Sequence, residues 1–178
     1  MLNRTRVLRL DRLCRVLIVL SGLPGVGKTT LARELASSLH AVHLRIDSIE
    51  QALRNAGWTV EEEGYRVAYV VAEDNLRLGR VVIADCVNPW PLTRSTWRAV
   101  ADRAAVRAVN VEVVCSDADE HKRRVESRTP DIPGHRVPTW VEVLAHDYRP
   151  WNVERLIVDT AHVNVDHSVK TILSAVSA

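Results

Sequence analysis

Gly22-Leu23-Pro24-Gly25-Val26-Gly27-Lys28-Thr29 has the spacing G-x-x-x-x-G-K-[ST], and Thr30 follows it directly. Backbone amides converge on a polyphosphate only where side chains leave room, and Gly22, Gly25 and Gly27 supply chain that can take the necessary conformations. Lys28 is then in place to reach the β- and γ-phosphates, and the Thr29 hydroxyl to ligate Mg²⁺. Gly22 through Thr30 are therefore the candidate nucleotide-binding residues, with ATP and Mg²⁺ the expected cofactors. Of the 24 Lys and Arg residues only Lys28, Lys122 and Lys170 are lysine. A compact ammonium thus stands in this loop of a chain that otherwise uses arginine as its cation.

A second set of groups lies at Asp85. Val81-Val82-Ile83-Ala84 is a continuous apolar run ended by this aspartate. A carboxylate at that point can hold Mg²⁺, directly or through water, opposite Thr29. Cys86 follows, where hydrolytic motors carry a water-activating glutamate, and no N-K-x-D guanine-recognition element occurs anywhere. Transfer to a bound acceptor fits these residues better than hydrolysis, and ATP better than GTP.

These groups need a frame that delivers them to one edge. Val16 to Leu20 reads as a strand and Leu31, Ala32, Leu35 and Leu39 as the apolar face of a helix, so the glycine loop joins strand to helix as a P-loop requires. Ala41 to Ile46 reads as a second strand ending at Asp47, and Ser48-x-x-Gln51 as a capping box opening a helix to about Asn55. Thr59 to Glu62 repeats that spacing ahead of a helix carrying Tyr65, Ala68, Tyr69, Ala72 and Leu76 and stopped by Gly79. Further strands are expected at Val81–Ala84, Val109–Val114 and Leu156–Val158. Further helices are expected over 92–105, after a Ser116 cap, over 139–148 and over 165–176. Strands alternating with helices predict an α/β fold: a three-layer, five-stranded parallel sheet with helices on both faces. Ligands of such sheets sit beyond the carboxyl ends of the strands, where Asp47, Asp85, Ser116 and Asp159 fall.

The totals exclude several classes. A chain of 178 residues, 47% hydrophobic and 26% charged, is long enough for one cored domain. Its net charge of +2 gives no field for nucleic acid. Cys14, Cys86 and Cys115 are widely spaced and form no C-x-x-C, which suits a reducing cytoplasmic compartment rather than a disulfide or zinc framework. Arg4, Arg6, Arg9, Arg12 and Arg15 before Val16–Leu20 imitate a signal peptide, but the apolar run is too short and flows into the loop. Residues 1–13 are read as a basic extension to a single domain over 14–178. No run approaches the ~18 apolar residues of a membrane span.

Loop, strand-two aspartate, strand-three aspartate and an arginine-rich helix before a Pro/Gly segment, in that order, resemble the small P-loop kinases. That group includes gluconate, shikimate and adenylylsulfate kinases, chloramphenicol phosphotransferase and the kinase domain of polynucleotide kinases, with their AAA-type ATP-binding domain. The resemblance runs from residue 16 to 177. It implies an ATP- and Mg²⁺-dependent kinase that phosphorylates a hydroxyl of a small-molecule acceptor. By the same resemblance Asp47 orients the acceptor hydroxyl or takes its proton, unless it only caps the helix behind it. Arg124 and Arg128 belong to a lid over about 123–138 and steady the transferring phosphate, or stack on the base. The turn Asp159–His162 lies where these kinases place adenine. Trp58, Tyr65, Tyr69, Asn88, Trp90 and Arg94 are candidates to line the acceptor pocket. Glu50 stands where polynucleotide kinases often carry an arginine, a further mark against nucleic acid. The alternatives are an ATP-binding regulatory module without transfer, and a phosphotransferase of the zeta-toxin or polynucleotide-kinase type acting on a larger substrate.

Overall fold

The computed structural model describes residues 15–178, so the basic extension over residues 1–13 lies outside the described residues. Five strands form one all-parallel sheet: β1 (Val16–Ser21), β2 (Val42–Arg45), β3 (Val82–Asp85), β4 (Arg107–Val114) and β5 (Leu156–Asp159), in the order β2-β3-β1-β4-β5. Helices α1 (Lys28–Leu39), α2 (Ile46–Asn55), α3 (Glu63–Arg77), α4 (Pro91–Arg103), α5 (Ala118–Glu126), α6 (Trp140–Leu144) and α7 (Val165–Ser177) connect or flank them.

The central strand shows why its sequence is apolar without alternation. Ile18 and Leu20 face a core shared with Leu31 and Leu35 of α1 and with Val169 and Ile172 of α7. Leu17 and Val19 face the opposite core, with Ala68 and Ala72 of α3 and Trp97 and Val100 of α4. A strand covered on both sides must bury every side chain, and all six residues of β1 are buried. Fully burying an aliphatic chain of this size contributes about 1.5–3 kcal/mol, so this strand anchors both layers.

Several element boundaries differ from the sequence reading. Helix α2 starts at Ile46, directly from β2, with Arg45 as its N-cap and no capping side chain. Ser48 is therefore inside the helix, and Asp47 lies in its first turn rather than at its cap. Helix α3 likewise begins at Glu63 behind Glu62, not behind Thr59. Asp117, not Ser116, caps α5, its carboxylate accepting from the Glu120 amide at 2.8 Å. The Thr139–Glu142 capping box is present as read, although α6 ends at Leu144, short of Tyr148. Among the described residues no helix is long and apolar enough to cross a membrane.

The chain leaves β1 toward β2, returns to β3 beside β1, then crosses to β4 on the other side. The strand order therefore reverses around β1, and its carboxyl end opens onto a crevice. Register brings Leu20, Asp85 and Arg45 into one row at that edge.

Candidate active site

Gly27 caps α1 in the left-handed region (φ 98°), and no side chain takes up the first amides of the helix. The first turn also carries no acidic residue, so the positive end of the dipole and its unpaired N–H groups are left for an anion. Gly22 leaves β1 with φ 145° at a point where a Cβ would lie 2.2 Å from the Val113 carbonyl oxygen. Only glycine passes there. Gly25 (φ 86°) is pressed by α5: a Cβ would meet the Val125 side chain at 2.5 Å. His121 Nε2 lies 2.8 Å from the Pro24 carbonyl oxygen and its ring meets Trp140 edge-on at 5.0 Å, so α5 and α6 hold the loop from outside.

Lys28 is 8% exposed and donates to the Leu23 carbonyl at 2.9 Å, folding its ammonium back over the loop. Burial pushes its pKa below the ordinary lysine value, and the Asp85 and Asp47 carboxylates pull it part of the way back. Asp85 is buried; that alone would raise its pKa, but the hydrogen bond with His43, the Lys28 charge and the Thr29 hydroxyl bring it below the usual carboxylate value. His43 Nε2 stands 3.2 Å from Asp85 Oδ2. An ionised carboxylate and the Thr29 hydroxyl line one cavity, two hard oxygen donors of the kind a magnesium ion takes.

That cavity has a volume of about 520 Å³ and runs along the carboxyl edge of the sheet. At the β5 end it is closed by Thr160 and Arg124. Arg124 donates to the Thr160 hydroxyl at 2.8 Å and to the Thr160 carbonyl at 2.9 Å, and pairs with Glu120 at 2.5 Å. The Thr160 hydroxyl also lies 2.9 Å from the Val26 carbonyl oxygen, tying this turn to the glycine loop. Asp159 builds the turn by accepting from the Ser116 and Ala161 amides, both at 3.0 Å. At the β2 end the cavity is lined by Arg45, Asp47, Arg128, Asp131, His135 and Arg136.

The structure thus brings Gly25, Gly27, Lys28, Thr29, Thr30, Asp47, Asp85, Arg124 and Arg128 to one cavity, with Pro24 also in its wall. The two arginines reach it differently from the sequence reading. Helix α5 ends at Glu126, so Arg128 projects from the segment behind it rather than from the next helical turn. The proposed acceptor-pocket residues are not in the wall. Trp58 is 62% exposed, Trp90 donates its indole N–H to Asp147 at 3.1 Å, and Tyr69 packs edge-on to Trp97 at 4.6 Å. Asn88 is fully buried; its amide N–H donates to the Tyr65 hydroxyl at 2.9 Å and its side-chain amide to the Ser21 hydroxyl at 2.9 Å.

Arg94 is a strap rather than a ligand. Buried at 3% exposure, it donates to the carbonyls of Asn88, Pro89, Arg149 and Pro150 and stacks over Trp151 at 4.2 Å. It joins the segment after β3 to the segment before β5. Arg94→Ala takes the donor from the Asn88, Arg149 and Pro150 carbonyls, while Pro89 keeps the Arg149 amide, and about 3 kcal/mol of stability should be lost. That corresponds to a thermal midpoint lower by roughly 6–12 °C, read by calorimetry.

Sequence reasoning passed over Arg45 and Asp131, which pair across 86 positions. Arg45 donates to both Asp131 oxygens, at 2.8 and 2.9 Å, and Arg33 donates to the same carboxylate. A cation inside the apolar stretch Leu44-Arg45-Ile46 was the available signal for the first. Nothing local marks the second.

Residues 17–145 match the family described as AAA domain. A protein of Aeropyrum pernix described as a probable adenylyl-sulfate kinase is 26% identical over 180 residues, covering 92% of this chain and 93% of the relative. The Mycobacterium tuberculosis APS kinase in complex with AMPPNP and APS matches with a TM-score of 0.69 at 19% identity, over 92% of this chain and 98% of that one. A gluconokinase of Sinorhizobium meliloti 1021 matches with a TM-score of 0.61 at 18% identity, over 90% of each. At such identities the solved structures speak for the fold alone, that of the P-loop kinases. With the family match spanning most of its length and the glycine loop, sheet order and carboxyl-edge cavity in place, this chain belongs to the AAA domain family and carries a P-loop kinase fold.

Proposed function

We propose that the protein is an ATP- and Mg²⁺-dependent phosphotransferase that moves the γ-phosphoryl group of ATP to a hydroxyl of a small molecule. The observation that carries this reading is the two-ended cavity. The loop of amides and Lys28 occupy its middle, the Thr160 turn one end, and Asp47 with its arginine neighbours the other. A hydrolase needs room for a water beyond the γ-phosphate. Here the cavity continues past the glycine loop to Arg45, Asp47 and Asp131 at the β2 end, and the residue after Asp85 is a buried cysteine whose thiol burial pushes well up.

In this reading Gly22 to Thr30 hold the polyphosphate with main-chain N–H groups, and Arg124 closes the base end. Thr29 and Asp85 would hold a magnesium ion, whose charge would offset that of the phosphates. Lys28 donates to the β/γ-phosphate oxygens, where a desolvated cation acts most strongly on developing charge. Arg128 adds a second cation from the segment behind α5. Asp47 accepts the hydrogen bond of the incoming hydroxyl, aligns it with the γ-phosphorus and takes its proton as the new bond forms. Residues 123–138 form the lid, and Gly134 (φ 79°) allows its turn. Water exclusion is what closure adds.

Incubation with Mg-ATP and a panel of hydroxyl compounds, followed by phosphorus NMR, tests the assignment. A new phosphate-ester resonance appearing with ADP is the expected outcome. Tight ATP binding with no ester from any acceptor would replace the enzyme by an ATP-binding module.

A further inference from the structure

Asp131 sits on the Pro-flanked segment Pro130-Asp131-Ile132-Pro133, and its carboxylate is enclosed by cations. Arg45 grips both oxygens in a fork, Arg33 donates to one, and an Arg128 nitrogen stands 4.0 Å away. Arg33 comes from α1, Arg45 from the end of β2 and Arg128 from the segment behind α5. Elements this far apart in the chain converge on one oxyanion-sized spot. The arginines are also unequal. Arg33 is exposed, whereas Arg45 is 7% exposed and its Nε, buried in the cavity wall, has no hydrogen-bond partner. A buried guanidinium with a donor left over is under-satisfied by the one carboxylate it holds, and such a group carries a desolvation cost until another acceptor arrives.

Charge points the same way. Six cationic side chains line the cavity against three carboxylates, Asp47, Asp85 and Asp131. Lys28 and Arg124 belong to the nucleotide half. Arg33 and Arg45 lie beyond it, at the β2 edge, where no phosphate of a nucleotide held on the α1 amides is needed. Asp47 Oδ2 lies 3.9 Å from Arg45 Nη2, so a group seated on Arg45 is next to the residue that would receive the acceptor hydroxyl.

We infer that Arg45 is a specificity-determining residue for the acceptor: it takes an oxyanion carried by that molecule (carboxylate, phosphate or sulfate), and the Asp131 carboxylate is a tethered stand-in that this group displaces. The inference rests on the phosphotransferase reading and names the chemistry of its second substrate. Guanidinium is suited to this exchange because its planar fork meets either carboxylate or tetrahedral oxyanions through two parallel bonds. Asp131 is held well below the usual carboxylate range by the Arg45 and Arg33 hydrogen bonds, so it competes as an anion throughout the neutral range. The competitor is intramolecular, and its high effective concentration sets a threshold that a neutral alcohol cannot meet.

The experiment uses the full chain saturated with Mg-AMP-PNP, which fills the glycine loop, and titrates sulfate with chloride holding ionic strength constant. Affinity is read by calorimetry and the 129–138 amides by hydrogen exchange. Sulfate should bind the wild type weakly and speed exchange over 129–138, because Asp131 is released. Asp131→Asn, a change on an exposed loop, should bind sulfate about 10-fold tighter, with fast exchange before any sulfate is added. Arg45→Gln should lose the binding in either background, and Arg45→Lys, which keeps the charge without the fork, should recover only part of it. A merely structural ion pair also predicts a looser loop in Asp131→Asn, but no gain in sulfate affinity, so the affinity discriminates. Equal sulfate affinity in wild type and Asp131→Asn, or binding that survives Arg45→Gln, overturns the inference. Failure of Mg-AMP-PNP to bind overturns the phosphotransferase reading instead. The same dependence on Arg45 and Asp131 is then required of the chain alone.

Discussion

Lys28→Met should lower kcat/KM for ATP-dependent transfer by about 10³-fold while leaving the thermal midpoint within a few degrees of the wild type. Methionine keeps the length and apolar stem of the side chain and removes its charge. The side chain is buried, and its desolvated ammonium donates to the Leu23 carbonyl. Folding gains little from such a cation, because the cost of burying it offsets most of its attraction to Asp85 and Asp47. Transfer gains much. In a site closed to water, one fixed donor on the developing phosphoryl charge contributes on the order of 3–4 kcal/mol, or 10²–10³ in rate, and Lys28 also faces the ground-state phosphates. The two readouts should therefore separate. Steady-state kinetics beside calorimetry checks it, and a variant retaining transfer within about 3-fold would remove Lys28 from the mechanism. Lys28→Arg should not rescue, since a guanidinium is too wide for the place where the ammonium folds back on the loop.

What could be read from the chain beforehand divides along a physical line. The glycine loop was legible because its chemistry is main-chain chemistry. Three glycines at fixed offsets mark positive φ angles at 145°, 86° and 98°, and one lysine marks the charge. The doubly covered strands were legible because burial on both faces forbids polar residues in the run. Helix starts were less so. Ser48-x-x-Gln51 has the letters of a capping box, but the chain turns into α2 two residues earlier, where Ile46 is already buried against the α3 and α4 core. Packing of an apolar residue outweighed a local cap worth about 1 kcal/mol.

Long-range polar pairs were the least legible. Arg94 has the position of a pocket residue, and only the fold reveals four carbonyls gathered around it from two segments, Asn88–Pro89 and Arg149–Pro150, that are distant in the chain. Arg45 and Asp131 illustrate the same limit at the cavity itself. Each is an ordinary charged residue in its own stretch, and their pairing exists only once β2 and the 129–138 segment share an edge. Asp47 is legible by its place after the second strand, and the helix cap that would equally explain an aspartate there is absent. It caps nothing, because Arg45 holds the cap position and offers no side-chain bond.

Removal of the capping alternative makes Asp47→Asn a clean measurement. As a first-turn carboxylate of α2, Asp47 can add only the helix-dipole contribution, about 0.3–1 kcal/mol and less when exposed to salt. Its side chain is 37% exposed, and its nearest basic groups, Arg45 and the His135 ring, are both 3.9 Å away, so neither contact is tight. Asparagine keeps the size and can still accept a hydrogen bond, but it cannot take a proton. If Asp47 removes the proton of the acceptor hydroxyl, kcat should fall by 10²-fold or more, in line with the roughly 10²–10⁴ that a positioned base contributes. The Kd for Mg-AMP-PNP should stay within about 3-fold, because Asp47 lies at the β2 end of the cavity and Lys28 with the loop amides carries the nucleotide. Thermal stability should shift by no more than a degree or two. The discriminating quantity is thus kcat alone, measured with acceptor and ATP both saturating. A small effect there, with binding and stability also unchanged, would leave Asp47 as a spectator and require the hydroxyl to be activated by the phosphoryl group itself.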